Sequence, residues 1–185
     1  MVNRLDRAGS SGLISFALMA TLAAGSLPSR REALEAIYPG AQIRAERIFL
    51  TEAQIQEAAA RAGEPIASPL IALYTAYRGE RVVGRAYVDT HTVRTKKESL
   101  LICLDEQGRV KRVEVTAFLE PPEYLASAAW YAQYKGRTLT KELNLNRAIR
   151  PMAGATLTAK AASGAVRRVL AIDQALRGAA LKKRK

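Results

Sequence analysis

Cysteine and histidine are almost missing from this chain: Cys103 and His91 are the sole representatives among 185 residues. A lone cysteine closes no internal disulfide, and it supplies no CxxC, CxxCH or zinc-type spacing. That speaks against thioether-bound haem, iron–sulfur ligation and structural zinc. A single histidine without a second histidine or carboxylate pair in register is also a poor metal site. No GxSxG occurs, and one histidine would have to serve any triad, so a serine hydrolase finds little support. Acidic side chains are few as well, 17 against 29 Lys and Arg, which gives a formal charge of +12. Such a charge suits polyanions or anionic surfaces. No nucleic-acid motif accompanies it, and docking to an acidic partner is the favoured reading. Internal repeats and low-complexity tracts are absent.

Long apolar runs are scarce too. The longest, Leu13–Ala24, is interrupted by Ser15 and Thr21. It falls short of the roughly 20 residues needed to span a bilayer. Arg4 and Arg7 precede it and Ala23-Ala24-Gly25-Ser26 closes it, the layout of a secretory signal peptide cleaved near Gly25. An uncleaved membrane anchor over residues 1–25 is the alternative, and a lipoprotein is excluded because no lipobox cysteine is present. The expected location is the periplasm or the extracytoplasmic face of the inner membrane.

The rest of the chain reads as an α+β protein: a mainly antiparallel sheet of four or more strands with helices against one face. An N-terminal helical region spans 26–68. Ser29-Arg30-Arg31-Glu32 and Thr51-Glu52-Ala53-Gln54 are capping boxes opening two helices, the first stopping at Pro39-Gly40 and the second at Gly63. Ala41–Phe49 between them is extended. A larger unit, 69–178, opens with β-rich runs Leu70–Tyr77 and Val82–Val88 around a tight turn. A second pair, Ser99–Leu104 and Arg109–Phe118, surrounds Asp105-Glu106-Gln107-Gly108. Cys103, within Leu100–Leu104, reads as a buried small hydrophobe. A helical stretch from Pro121 to Tyr134 comes next, then a long helix from about Ala159 to Arg177 with an apolar stripe including Ala162, Val166, Val169, Leu170 and Leu176. Residues 179–185 form a basic tail.

The most specific sequence in the chain is Gly154-Ala155-Thr156-Leu157-Thr158, just ahead of that helix. Gly154 and Ala155 remove bulk where a ligand or enzyme must approach, Thr156 offers a hydroxyl, and Thr158 is the expected N-cap. A helix start carries unpaired N–H groups and a partial positive charge that suit a phosphate diester. The same residues form an ordinary turn and cap if no ligand is involved.

This pentapeptide resembles the flavin-attachment motif of the bacterial FMN-binding domain family. The family includes peripheral subunits of sodium-translocating NADH:quinone reductase and of Rnf-type complexes. Gly108, Glu120-Pro121-Pro122-Glu123-Tyr124 and Trp130 extend the resemblance, which covers roughly Leu70–Ala171 and is that of a compact standalone member. It implies FMN esterified through its phosphate to the Thr156 hydroxyl, a flavin transferase for maturation, and a membrane reductase or cytochrome as redox partner. Arg150 and Ala153 stand where the family usually has Asp and Ser or Thr; Arg150 suits pairing with the phosphate. Under this reading Arg94, with Lys96 and Lys97, would place a cation near the flavin, and Glu120 would cap or brace a turn. His91 would line the pocket, relay a proton or hydrogen-bond within a loop. Tyr124, Trp130, Tyr131 and Tyr134 either shield the flavin or pack the core. The function implied is an exported electron-transfer flavoprotein, a redox carrier more than a stand-alone enzyme. A cofactor-free exported binding module and a basic polyanion-binding protein are the alternatives.

Overall fold

The computed structural model describes residues 27–182, and in it the chain is α+β. The expected signal or anchor segment lies outside these residues. Helix α1 (Arg30–Ile37) begins with both halves of the capping box in place: the Ser29 hydroxyl accepts from the Glu32 N–H, and the Glu32 carboxylate accepts from the Ser29 N–H. Helix α2 (Glu52–Ala62) repeats this with Thr51 and Gln54, and it ends at Gly63 in the left-handed region, φ 66°. Both starts arise from side chains three residues apart that satisfy each other's orphan donors.

Five strands form one antiparallel sheet in strict chain order, β1 (Gln42–Phe49), β2 (Leu70–Arg78), β3 (Arg81–Thr92), β4 (Lys97–Asp105) and β5 (Val110–Phe118). Strand β1 supplies the edge beside β2, so the stretch before residue 69 shares one sheet with the four later strands. Strand β3 runs four residues beyond the expected Val88. Its last residues alternate buried-side Asp89 and His91 with Thr90 and Thr92, a polar pattern that sequence patterning does not read as strand.

Helices cover both faces of the sheet, where one covered face was expected. The cause is β4, whose apolar run is buried on both sides. Leu100, Ile102 and Leu104 pack under the main helix layer, while Leu101 and Cys103 face Leu34, Ile37 and Tyr38 of and after α1. Burial pushes the Cys103 thiol up to about 12, in keeping with an inert core side chain. The main layer is α4 (Thr156–Lys182), packed against α2 and the sheet. Ala159, Ala162, Ala165 and Ala171 on α4, with Ala58 and Ala62 on α2, are fully or nearly fully buried, which lets the backbones approach closely. The expected helix over Pro121–Tyr134 is instead a 3-10 turn (Pro122–Tyr124), a short α3 (Ala128–Tyr131) capped by Ser127, and a second 3-10 turn (Ala132–Tyr134). Among the described residues no helix is long and apolar enough to cross a membrane.

Candidate functional site

Helix α4 begins at Thr156, three residues earlier than its sequence suggested, and this corrects the role of Thr158. The first intrahelical bond runs from the Ala159 N–H to the Ala155 carbonyl, 3.1 Å, so alanine occupies the cap position. Alanine offers no acceptor, unlike Ser29, Thr51 and Ser127 at the other helix starts. Thr158 lies inside the first turn. It is 1% exposed, and its Oγ1 has no hydrogen-bond partner. An orphaned buried hydroxyl carries a penalty of about 1–3 kcal/mol. Thr156, by contrast, is exposed, and Gly154 enters the turn at φ 77°, a left-handed conformation that glycine adopts without strain.

A cavity of about 220 Å³ opens at this helix start. Gly154, Ala155, Thr156, Leu157 and Thr158 form one wall; Val93, Arg94, Glu120 and Tyr124 form the other. The second wall is built from the β3–β4 turn and the segment after β5. One oxygen of Glu120 accepts three successive backbone N–H groups, from Arg94 at 3.0 Å, Thr95 at 2.8 Å and Lys96 at 2.8 Å. Those bonds, led by the one from Lys96, hold the Glu120 carboxyl below its ordinary range. The braced turn presents the Arg94 guanidinium 5.8 Å from the centre of the Tyr124 ring, a cation–π arrangement. Glu120 therefore acts on the cavity through the backbone it fixes.

Two candidate residues are placed elsewhere. The Arg150 side chain lines a separate cavity with Arg137, Arg147 and Trp130. Its backbone is pinned there, the N–H donating to Gln133 Oε1 and the carbonyl accepting from Trp130 Nε1. Trp130, Tyr131 and Tyr134 pack edge-to-face as core, 5.1 and 5.7 Å between ring centres. His91 sits in β3, not in a loop, and belongs to a buried polar chain. Its Nδ1 lies 2.9 Å from Asp89 and its Nε2 3.0 Å from Glu98. Asp89 also accepts two bonds of 2.9 Å from Arg168 of α4, and Glu98 accepts from the Tyr131 hydroxyl at 2.9 Å. Both ring nitrogens lie within hydrogen-bond distance of a carboxyl group, an arrangement that favours the protonated ring. Burial alone would lower its pKa; the bonds to Asp89 and Glu98 and their charges outweigh that and raise it. The Asp89 carboxyl obeys the same logic in the other direction, lowered by His91 and Arg168 in spite of burial.

Glu98, Arg168 and Asp89 escaped sequence reasoning because they lie far apart along the chain; the Asp89-Thr90-His91 alternation was the available clue. A second cluster, also unread, joins Arg85 and Tyr87 of β3 to Asp173 of α4 at 2.5 and 2.9 Å. The two clusters fix α4 against the sheet and so set where Thr156 lies. No family model, no curated protein and no solved structure matches this chain.

Proposed function

We propose that the cavity at the start of α4 takes the phosphate end of FMN, with the Thr156 hydroxyl as the point of covalent attachment. The supporting observation is the conjunction of an exposed threonine hydroxyl, a helix start without a side-chain cap and a buried unpaired hydroxyl on one cavity. Each feature is unfavourable or idle in isolation, and each is used if a phosphate is present. The first-turn N–H groups and the helix dipole favour an anion by roughly 0.3–1 kcal/mol. Thr158 Oγ1 would donate to a phosphate oxygen, and Arg94 would supply the opposite charge. Glu120 keeps Arg94 in position while its own charge is taken up by three N–H groups. At about 220 Å³ the cavity is below the roughly 300–1,000 Å³ that encloses a drug-sized ligand. Its size suits a phosphate and adjoining chain, and Leu157 and Tyr124 in its lining would be available to the rest of the group. Leu157 is 49% exposed there, an apolar surface without other use.

Flavin supplies conversion between one- and two-electron steps; the protein's part is position and charge. The family resemblance of the Gly154–Thr158 stretch and the cavity it lines together support an exported FMN-carrying electron-transfer protein. It would relay electrons between a membrane reductase or cytochrome and an extracytoplasmic partner. Covalent attachment suits a compartment where free FMN cannot be counted on.

The test is expression with export in a host that has the flavin transferase. Flavin absorbance retained after acid precipitation, mapped by mass spectrometry to the peptide containing Thr156 and lost in Thr156→Ala, is the expected outcome. No adduct in the wild type under those conditions would favour the cofactor-free module. An adduct of unchanged amount in Thr156→Ala would move the attachment elsewhere.

A further inference from the structure

The ladder between β2 and β3 starts only at Leu73–Tyr87. Continued in register it would pair Ala72 with Val88, Ile71 with Asp89 and Leu70 with Thr90. Instead Leu70–Ala72 pair with β1 alone, and Val88–Thr92 pair with β4 alone. The two central strands splay, and a cavity of about 520 Å³ fills the gap. Residues 65–68 and Ile172 of α4 also line it. This volume is within the roughly 300–1,000 Å³ of small-molecule sites.

The chemistry of the lining is uneven. Ile66, Leu70, Ile71, Val88 and Ile172 make an apolar body. Leu70 and its cross-strand neighbour Phe49 are 42% and 72% exposed at the open end of the splay. Asp89 is the one acidic side chain in the lining, and it is already engaged by His91 and Arg168. Arg47 and Lys97 also line the cavity, and neither makes an ion pair among the described residues. The cavity therefore joins an apolar part to a polar side formed by Thr90, Thr92 and the paired Asp89, His91 and Arg168; it carries two further cations without ion pairs among the described residues, and strand edges without a cross-strand partner border it.

We infer that the cleft between β2 and β3 is a second ligand site, separate from the Thr156 cavity, for a small organic anion with an apolar body, such as an aromatic or aliphatic carboxylate. The apolar part lies along Ile71, Val88 and Ile172, and the anionic group faces Arg47 and Lys97.

The probe is 8-anilinonaphthalene-1-sulfonate, titrated by fluorescence into the full chain carrying Thr156→Ala, so that flavin content does not enter the reading. Saturable one-to-one binding is expected, with N-phenyl-1-naphthylamine, which has the same rings without the sulfonate, at least about tenfold weaker. Arg47→Gln with Lys97→Gln should weaken sulfonate binding about tenfold, the scale of two exposed charges, and leave the uncharged probe unaffected. Ala72→Phe, which fills the gap, should abolish both. No saturable binding, equal affinity for the two probes, or unchanged sulfonate affinity in the charge-pair variant would overturn the proposal. The two-probe comparison needs no substitution in the cleft, so it decides even if a cleft variant fails to fold.

Discussion

Replacing His91 by leucine removes the centre of the Asp89–His91–Glu98 chain at nearly constant volume, and its effect can be worked out in advance. Asp89 keeps two bonds from Arg168, so its charge stays paired. Glu98 is fully buried and keeps only the neutral Tyr131 hydroxyl. An uncompensated buried charge costs about 3–5 kcal/mol. Wild type carries its own pH dependence. The raised His91 pKa means its stabilisation is fully present below the unfolded value near 6.5 and is lost as pH rises through the higher folded value. The penalty of His91→Leu should thus be about 3–5 kcal/mol, and larger at pH 5, where the His91 stabilisation is fully present, than at alkaline pH, where it has been lost. Urea unfolding at the two pH values measures it. Adding Glu98→Gln to His91→Leu should recover most of the loss, since the buried charge left without its partner is removed. A penalty equal at both pH values would refute the assignment of a buried, charged chain.

At Thr158, valine in place of threonine should leave stability unchanged or raise it by up to about 1 kcal/mol in flavin-free protein, because an unpaired buried hydroxyl is removed; a loss of that size in thermal melts would mean the hydroxyl is bonded after all. Gly84→Ala should destabilise by about 1–3 kcal/mol or more, since a Cβ there overlaps the Tyr38 ring and the Leu104 carbonyl; denaturant unfolding checks it. The lowered Glu120 pKa gives stabilisation that persists above the usual carboxylate range and is lost as pH falls through the depressed folded value. The Arg94, Thr95 and Lys96 amide signals should accordingly shift only in acid, and a change near neutrality in an NMR titration would contradict the bracing role.

Legible in the amino acids alone was whatever rests on near neighbours. The capping boxes at Ser29 and Thr51, the αL stop at Gly63 and the turn at 105–108 are rules over three to five residues, and the chain obeys them. The start of α4 broke the same rule. Thr158 is the better capping residue, yet the helix begins on Ala155, because burial of Ala155 and Ala159 in the helix layer fixes the backbone there. Likewise β3 continues through Asp89 and His91 only because Arg168, 79 residues away from Asp89, neutralises the buried face. That an exposed threonine stands ahead of the last helix was legible locally, and Thr156 is exposed at the start of α4. That Arg94, Glu120 and Tyr124 share its cavity is a product of the sheet topology, which local patterns do not carry.

The meander order of the sheet has a bearing on how the chain is made. Each strand pairs with the one just before it, so every ladder can close as soon as its second strand is synthesised; the last three connections are tight turns with little entropy to overcome, and the first carries α2. The cover for Tyr87, Leu100 and Ile102 comes last: it is α4, which lies after all five strands in the chain. At about 5–20 residues per second, the 27 residues of α4 take on the order of 1–5 s to emerge, and for that interval a finished sheet shows an apolar face. Nascent chains stalled before Thr156 should be held by chaperones and cut readily by protease, and those stalled well past Lys182 should be neither.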